Sequence, residues 1–328
     1  MRAWAPGRVN LIGDHTDYTG GLALPMALNL GTTVEGDLGG EMVRLRSDGE
    51  DGEAAVPLSI EDPRAVEPAW ARYVAGVVWA VRPRVGFDGR VTTTLPIGAG
   101  LSSSAALEVA MALALGFAGS PLELALACQQ AEQRASGVPS GILDQLASAS
   151  GVAGHALLMD CHALTVTPVP VPDDVEVVVV DSGQARTLAT SAYGDRRAAC
   201  EAAEDRIGPL RTATVADVER LEDPVLRSRA RHVVTENQRV QGFSAALSAG
   251  RLVECGRLMV ESHRSLAEDF EVSTPRLDAL VATLTATPGV FGARLTGAGF
   301  GGCVVALAEP GAIEGGWHVR GADGARVG

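Results

Sequence analysis

Four stretches of this 328-residue chain concentrate side chains that could do chemistry. The first, APGRVNLIGDHTDYTGG at 5–21, sets Arg8, Asp14, His15 and Asp17 among apolar residues and turn signals. Charges crowded onto a short turn are costly unless solvated or paired. Carboxylates beside an imidazole suit hydrogen bonding to the hydroxyls of a sugar. The second, LPIGAGLSSSAALEVA at 95–110, reads as a strand end, a glycine turn and a helix opened by three serines. Gly98 and Gly100 let a backbone approach a ligand closely. Ser102, Ser103 and Ser104 suit an N-cap, where free N–H groups and the helix dipole attract anions. The third, AEQRASGVPSGILDQ at 131–145, places Glu132 at the end of one helix and Asp144 among Ile142, Leu143 and Leu146 in the next. An acid among apolar neighbours is a candidate base held beside a cation. The fourth, Gly297-Ala298-Gly299-Phe300-Gly301-Gly302, satisfies GxGxxG but runs into CVVALAE, a strand-like segment. A dinucleotide fingerprint needs a helix there, so that reading fails. Taken singly, each stretch also has a structural use: a solvated loop, a capped core helix, an acid bonded to a helix end, a tight hairpin.

Composition narrows the chemistry. All 27 basic residues are arginine. A Schiff-base lysine, a Walker A loop and the ATP-pairing lysine of a protein kinase are therefore excluded. The net charge of −13 disfavours nucleic acid, so a phosphate-bearing ligand needs local positive potential from backbone N–H groups, a helix N-terminus or a metal. The five cysteines are scattered without a CxxC pair, which leaves zinc and dithiol chemistry unsupported. No apolar run is long enough to span a bilayer and the opening residues lack an apolar signal segment. The expectation is a cytoplasmic protein with no membrane partner.

The elements that must position these residues follow from periodicity. Residues 1–60 alternate short apolar runs with turns and predict strands; 69–82 carry helical spacing. A strand at 90–95 precedes helices at 103–117, 121–136 and 140–149. HALLMD at 155–160 and the EVVVVD run ending at Asp181 predict strands. Residues 187–285 read as mostly helical, broken near Pro209, Pro224 and Pro275, and strands are expected near 290–295 and 303–308. The length predicts two domains. The PVPVPDD stretch at 168–174 is the best boundary, giving units at 1–172 and 173–328. The mixed order of elements indicates an α+β fold.

Together and in this order, the motifs resemble the GHMP kinase superfamily and, within it, the galactokinase family. GRVNLIGDHTDYTGG resembles the family signature, LPIGAGLSSSAALEVA the phosphate-binding motif and ARLTGAGFGGCVVAL the third motif. Further likenesses lie in GVPSGILDQ, DSGQARTLATSAYGDRRAAC, TENQRV and ESHRSLAEDFEVSTPRLD. The resemblance covers nearly the whole chain. It implies two α+β domains with the active site in the cleft between them, and a kinase that uses ATP and Mg²⁺ on the C1 hydroxyl of galactose, with no obligate protein partner. It implies Asp144 as the base and Arg8 as the cation beside it, which would favour the ionised carboxylate. It implies Ser104 and Glu132 as Mg²⁺ ligands. The phosphate cradle would be the turn Gly98, Ala99, Gly100, Leu101, Ser102, Ser103 and Ser104, and Trp70 would be an adenine contact. Asp14, His15, Asp17, Gly141, Asp144 and Tyr193 would line the sugar pocket. Three departures stand out. Asp14 replaces the family's usual Glu, which pulls the carboxylate back by about 1.5 Å. The chain starts almost at the first motif. After CVVALAEPG the tail is abbreviated, with a helix of the family expected to be missing. The alternatives are another sugar 1-kinase on the same scaffold, for N-acetylgalactosamine, galacturonate or L-arabinose, and a sugar sensor without turnover.

Overall fold

Alternation writes the first sheet directly. In Met42–Ser47, Val43 and Leu45 are fully buried while Arg44 and Arg46 face solvent, the period of two that one covered face demands. The computed structural model describes residues 1–184 and 189–328. The first half runs β1 (Arg2–Asn10), β2 (Leu22–Ala23), β3 (Pro25–Leu38), β4 (Met42–Ser47), β5 (Glu53–Pro57), α1 (Ala71–Val81) and β6 (Phe87–Thr93). Then come α2 (Ser103–Ala114), α3 (Pro121–Ser136), α4 (Leu143–Ser150), β7 (His155–Asp160) and β8 (Thr165–Pro170). The second half runs β9 (Glu176–Asp181), α5 (Ala189–Ile207), α6 (Val215–Val218), α7 (Pro224–Ser248), α8 (Leu252–Glu268) and α9 (Pro275–Thr285). It closes with β10 (Val290–Leu295), β11 (Cys303–Ala308), β12 (Trp317–Val319) and β13 (Arg326–Val327). Residues 185–188 of the DSGQARTLATSAYGDRRAAC stretch lie outside the described residues.

A six-stranded mixed sheet has the order β13-β1-β3-β6-β4-β5, with β4 and β6 parallel and the other neighbours antiparallel. Helices α1, α2 and α4 cover it with α3 packed on them, and all four share one apolar cluster with Val43, Leu45 and Phe87. The second sheet, β10-β11-β9-β12, is buried on both faces, and β11 is CVVALA without a polar position. Its alternation divides two cores. Val177, Val179, Val305 and Leu307 pack with Val240, Phe243 and Met259. Val178, Val304 and Ala306 pack with Cys200, Leu277 and Val281. No helix among the described residues is long and apolar enough to cross a membrane.

The strands read from sequence at 155–160, 290–295 and 303–308 stand where expected. The helix at 121–136 is framed by a full capping box between Ser120 and Glu123 and ends on Gly137 in the left-handed region. Part of the Pro-rich stretch forms β8, the edge of the three-stranded sheet β2-β7-β8. Pro168 and Pro170 are two residues apart, so both nitrogens face the same side, and an edge strand tolerates this. The final residues form β12 and β13, the latter returning to pair with β1.

Helix α8 lies hard against β10, which leads into the glycine turn. A Cβ on Gly256 would stand 1.8 Å from the Phe291 carbonyl oxygen. We expect Gly256→Ala to force this helix off the strand and destabilise the fold by about 1–3 kcal/mol, the usual cost of overpacking. Urea unfolding reads this as a lower midpoint with unchanged slope; an unchanged midpoint would show that the contact has slack.

Candidate active site

Strand β1 delivers Arg8 through a bulge. The pairing of β1 with β3 shifts between Pro6 and Arg8, and the Arg8 N–H donates instead to the Leu101 carbonyl at 3.1 Å. Gly7 permits this approach, since a Cβ there would lie 2.4 Å from the Leu101 oxygen. The Arg8 guanidinium then grips Asp144 in a fork, Nε to Oδ1 and Nη2 to Oδ2, both at 2.7 Å. Its third nitrogen donates to the Gly100 carbonyl at 2.8 Å. Arg8 is buried and Asp144, in the first turn of α4, is partly open. Ser102, expected in the phosphate cradle, donates its hydroxyl to Asp144 Oδ2 at 2.5 Å.

Around this pair lies a cavity of about 310 Å³, lined by Arg8, Asp14, His15, Asp17, Glu132, Gly141, Asp144, Tyr193, Gly297 and Ala298, with Tyr73, Ser136, Val138, Ser140 and Leu143. All the residues expected for the sugar pocket meet here. Asp17 packs where a side chain on Gly141 would lie, 1.6 Å from such a Cβ. Burial, then the charge of Asp144, pushes the Asp17 carboxyl up to about 6. His15 is held down to about 4 by burial, against the pull of Asp14, so it is neutral at physiological pH. Its Nε2 lies 3.2 Å from the Ala298 carbonyl oxygen, which can only accept. The ring proton therefore sits on Nε2, and Nδ1 accepts from the Tyr18 hydroxyl at 3.1 Å. Asp14 Oδ1 accepts from the Gly297 N–H at 3.0 Å, and its Oδ2 stands 2.6 Å from Arg294 Nη2.

A second cavity, about 270 Å³, is lined by Thr32, Ser47, Glu50, Trp70, Val91, Thr93, Ile97, Ser103, Ser104 and Leu107, with Tyr73 common to both cavities. Trp70 lies in its wall and donates its indole N–H to the Asp51 carbonyl at 3.1 Å. Of the expected cradle, Ser103 and Ser104 line this cavity, and Gly98 opens onto free space at φ +80°. Ala99 and Leu101 are buried in the core, and the Gly100 carbonyl serves Arg8. The two cavities are joined by a hydrogen bond from Ser104 Oγ to Glu132 Oε1 at 3.1 Å.

Glu132 accepts at its other oxygen from Ser140 and Gln145, and burial, then the Asp144 charge, raises its carboxyl. Glu108 lies behind it, fully buried and raised well above the usual range by burial, then by Glu132. A hydroxyl and a carboxylate at hydrogen-bond distance are hard oxygen donors, and clustered buried acids favour a cation. The residues fit Mg²⁺. No group of three or more His, Cys, Asp or Glu side chains converges on a metal position among the described residues, so further oxygens would have to come from phosphate and water.

Several residues here were not singled out from sequence. Tyr73 sits three positions after Trp70 and so shares its helix face. Glu108 stands one turn beyond Ser104 on α2, and Gln145 adjoins Asp144. Arg294 carried no local signal, since its partner Asp14 is 280 residues away.

Comparison with known proteins agrees with this geometry. Family models match as the galactokinase galactose-binding signature at residues 2–37, the GHMP kinases N terminal domain at 72–152 and the GHMP kinases C terminal domain at 243–316. The galactokinase of Roseiflexus sp. (strain RS-1) is 45% identical over 94% of this chain and 84% of its own. The Homo sapiens galactokinase is 44% identical over 93% and 83%. The crystal structure of Lactococcus lactis galactokinase complexed with galactose superposes with a TM-score of 0.92 at 32% identity, over 99% of this chain and 94% of that one. A Methanococcus jannaschii mevalonate kinase, 20% identical at a TM-score of 0.67, shares the fold. At such identity over most of both chains the likeness extends beyond fold, and the chain belongs to the galactokinase family of the GHMP kinases.

Proposed function

We propose that this chain transfers the γ-phosphoryl group of ATP to the C1 hydroxyl of galactose, giving galactose 1-phosphate and ADP. The observation that carries the reading is the Arg8–Asp144 fork in the wall of the larger cavity, one hydrogen bond away from the smaller one. The sugar takes the larger cavity and ATP the smaller, with Trp70 toward the adenine. Residues 1–172 provide the fork and the ATP cavity, and residues 173–328 provide Tyr193, Gly297 and Ala298, so the sugar binds between two domains.

Asp144 is the base. A carboxylate offers about four lone-pair sites. Arg8 Nε and Nη2 stand 2.7 and 2.6 Å from Oδ1, and Nη2 and the Ser102 hydroxyl reach Oδ2, so these two residues orient the carboxylate, whose partly open side faces the cavity and takes the C1 hydroxyl proton. Arg8 holds the carboxylate in its plane and stabilises negative charge developing on the attacking oxygen. That oxygen attacks the γ-phosphorus in line, and the rest of catalysis is positioning and charge neutralisation. Ser104 and Glu132 would hold Mg²⁺, which when bound neutralises charge on the phosphate oxygens. The first turn of α2 directs N–H groups at the same phosphates. Asp17, Tyr193 and the Gly141 backbone meet the sugar hydroxyls. His15 spends both ring nitrogens on Tyr18 and Ala298 and so braces the glycine turn over the sugar. Retention of the base, its cation and the serine turn in one site favours turnover over a sensor.

Three outcomes are expected. In a coupled ADP-release assay over a panel of sugars, galactose supports turnover; Asp144→Asn lowers kcat by roughly 10²–10⁴-fold with the KM for galactose little changed, because the amide cannot take the proton. Near-wild-type kcat in that variant would remove the base assignment.

The pH dependence of KM should report Asp17. Its carboxyl is raised to about 6, so it is an ionised acceptor above that pH and protonates as pH falls through it. The KM for galactose should therefore rise below about pH 6, and an Asp17→Asn variant should lose that inflection. A KM flat from pH 8 to 5 in the wild type would sink the assignment.

Asp14 is held by Arg294 and the Gly297 N–H, and is one methylene shorter than the family's usual Glu. Galactose should be a better substrate than L-arabinose, which lacks the C6 group. Asp14→Glu should widen the ratio of their kcat/KM values by restoring reach to the 6-hydroxyl. Arabinose turning over better than galactose in the wild type would transfer the reading to another sugar 1-kinase.

A further inference from the structure

Ser102 occupies the N-cap of α2, and serine is among the best capping residues, yet its side chain makes no capping hydrogen bond. Its backbone lies in the left-handed region, φ 56° and ψ 50°, which is uncommon for a residue with a Cβ and costly unless its surroundings enforce it. The residue is 8% exposed. This combination has one visible outcome: the hydroxyl that should cap the helix reaches Asp144 Oδ2 at 2.5 Å. Two further bonds tie the same loop to the same pair, Arg8 Nη1 to the Gly100 carbonyl and the Arg8 N–H to the Leu101 carbonyl. Three successive residues of the glycine-serine turn are thus docked on the base and its cation. The N–H groups of the first helical turn are left without a side-chain cap.

We propose that Ser102 is a positioning residue for the base: its hydroxyl fixes the orientation of the Asp144 carboxylate toward the cavity, while the uncapped N–H groups of the helix behind it serve the phosphates. The inference rests on the reading of Asp144 as base. Ser102 supplies geometry to the proton acceptor and none of its side chain to ATP; Ser103 and Ser104, which line the ATP cavity, do the latter.

The test separates position from strain. Ser102→Gly removes the hydroxyl at a backbone angle that glycine adopts freely, and Ser102→Ala removes it while keeping the angular cost. Both should lower kcat by roughly 10- to 100-fold, the scale of a misplaced reacting group, with KM for ATP and galactose within about twofold of wild type. Stability should order differently, with Ser102→Gly unfolding at the same or higher urea concentration than wild type and Ser102→Ala at a lower one. In an Asp144→Asn background Ser102→Gly should cost nothing further, since the group it positions is gone. Wild-type kcat in Ser102→Gly overturns the proposal. So does a raised KM for ATP at unchanged kcat, which would return the hydroxyl to the phosphate cradle, or an undiminished loss in the double variant. The base reading fails separately, if Asp144→Asn alone stays active.

Discussion

The fork between Arg8 and Asp144 is the interaction on which the rest of the site depends. Two parallel charge-assisted bonds fix both the distance and the plane of the carboxylate. A single-point cation such as lysine could supply the charge but not the plane. Satisfying the fork dictates much of the surrounding backbone. β1 must bulge at Gly7, the turn at Gly100 and Leu101 must present two carbonyl oxygens, and α4 must start so that Asp144 falls in its first turn. There the helix dipole also favours the negative charge. The Arg8–Asp144 pair therefore joins a strand end, a glycine-serine turn and a helix that are far apart in sequence.

Behind the larger cavity lies a second, largely buried set of charges. Arg294 is fully buried, with Asp14 at 2.6 Å and Glu236 at 3.9 Å. Glu236 also accepts from Arg239, the Gly13 N–H and the Ser262 hydroxyl. Against the pull of burial, Arg239, then His232 and Arg294, hold its carboxyl down to about 2. Two guanidinium groups face two carboxylates, so the cluster is neutral by count. This is the condition under which buried charge is tolerated, and losing one member would strand the others. Its effect on the site is rigidity: Asp14 is anchored from behind, and through the Gly297 N–H it anchors the turn that lines the larger cavity.

Much of this was legible in the sequence because the motifs are local. Asp144, Arg8, the serine turn and the glycine turn each sit in a short stretch whose residue types announce chemistry, and all of them meet at the two cavities or on the fork between them. The strand at 303–308 is an unbroken apolar run and was readable as such. What was not legible depends on contacts across the chain. The Ser102 hydroxyl looked like a cap from its neighbours; its use is decided by Asp144, 42 residues on. Arg294 looked like one more charged residue in a strand, and only the fold gives it a buried partner. Pro168 and Pro170 read as a linker because the open edge that accommodates them belongs to the sheet, not to the segment.

The charge of the site means that an anion here would have to be met by backbone N–H groups and a metal instead of side-chain cations. The larger cavity is lined by four carboxylates, Asp14, Asp17, Glu132 and Asp144, against one guanidinium, Arg8, which is already spent on Asp144. The smaller cavity adds Glu50 and no cation. An ATP polyanion entering such a place meets a repulsive field, consistent with a chain of net charge −13 that has no lysine at all. The raised carboxyls of Asp17 and Glu132 are the same repulsion seen from the protein's side, added to the cost of burial. A divalent cation at Ser104 and Glu132 together with the uncapped N–H groups of α2 would reverse the field only where the phosphates lie, and only when they are present. The acids facing the sugar would then keep their role as acceptors for neutral hydroxyls, so that one cleft can hold a polyanion and a carboxylate-lined sugar pocket side by side.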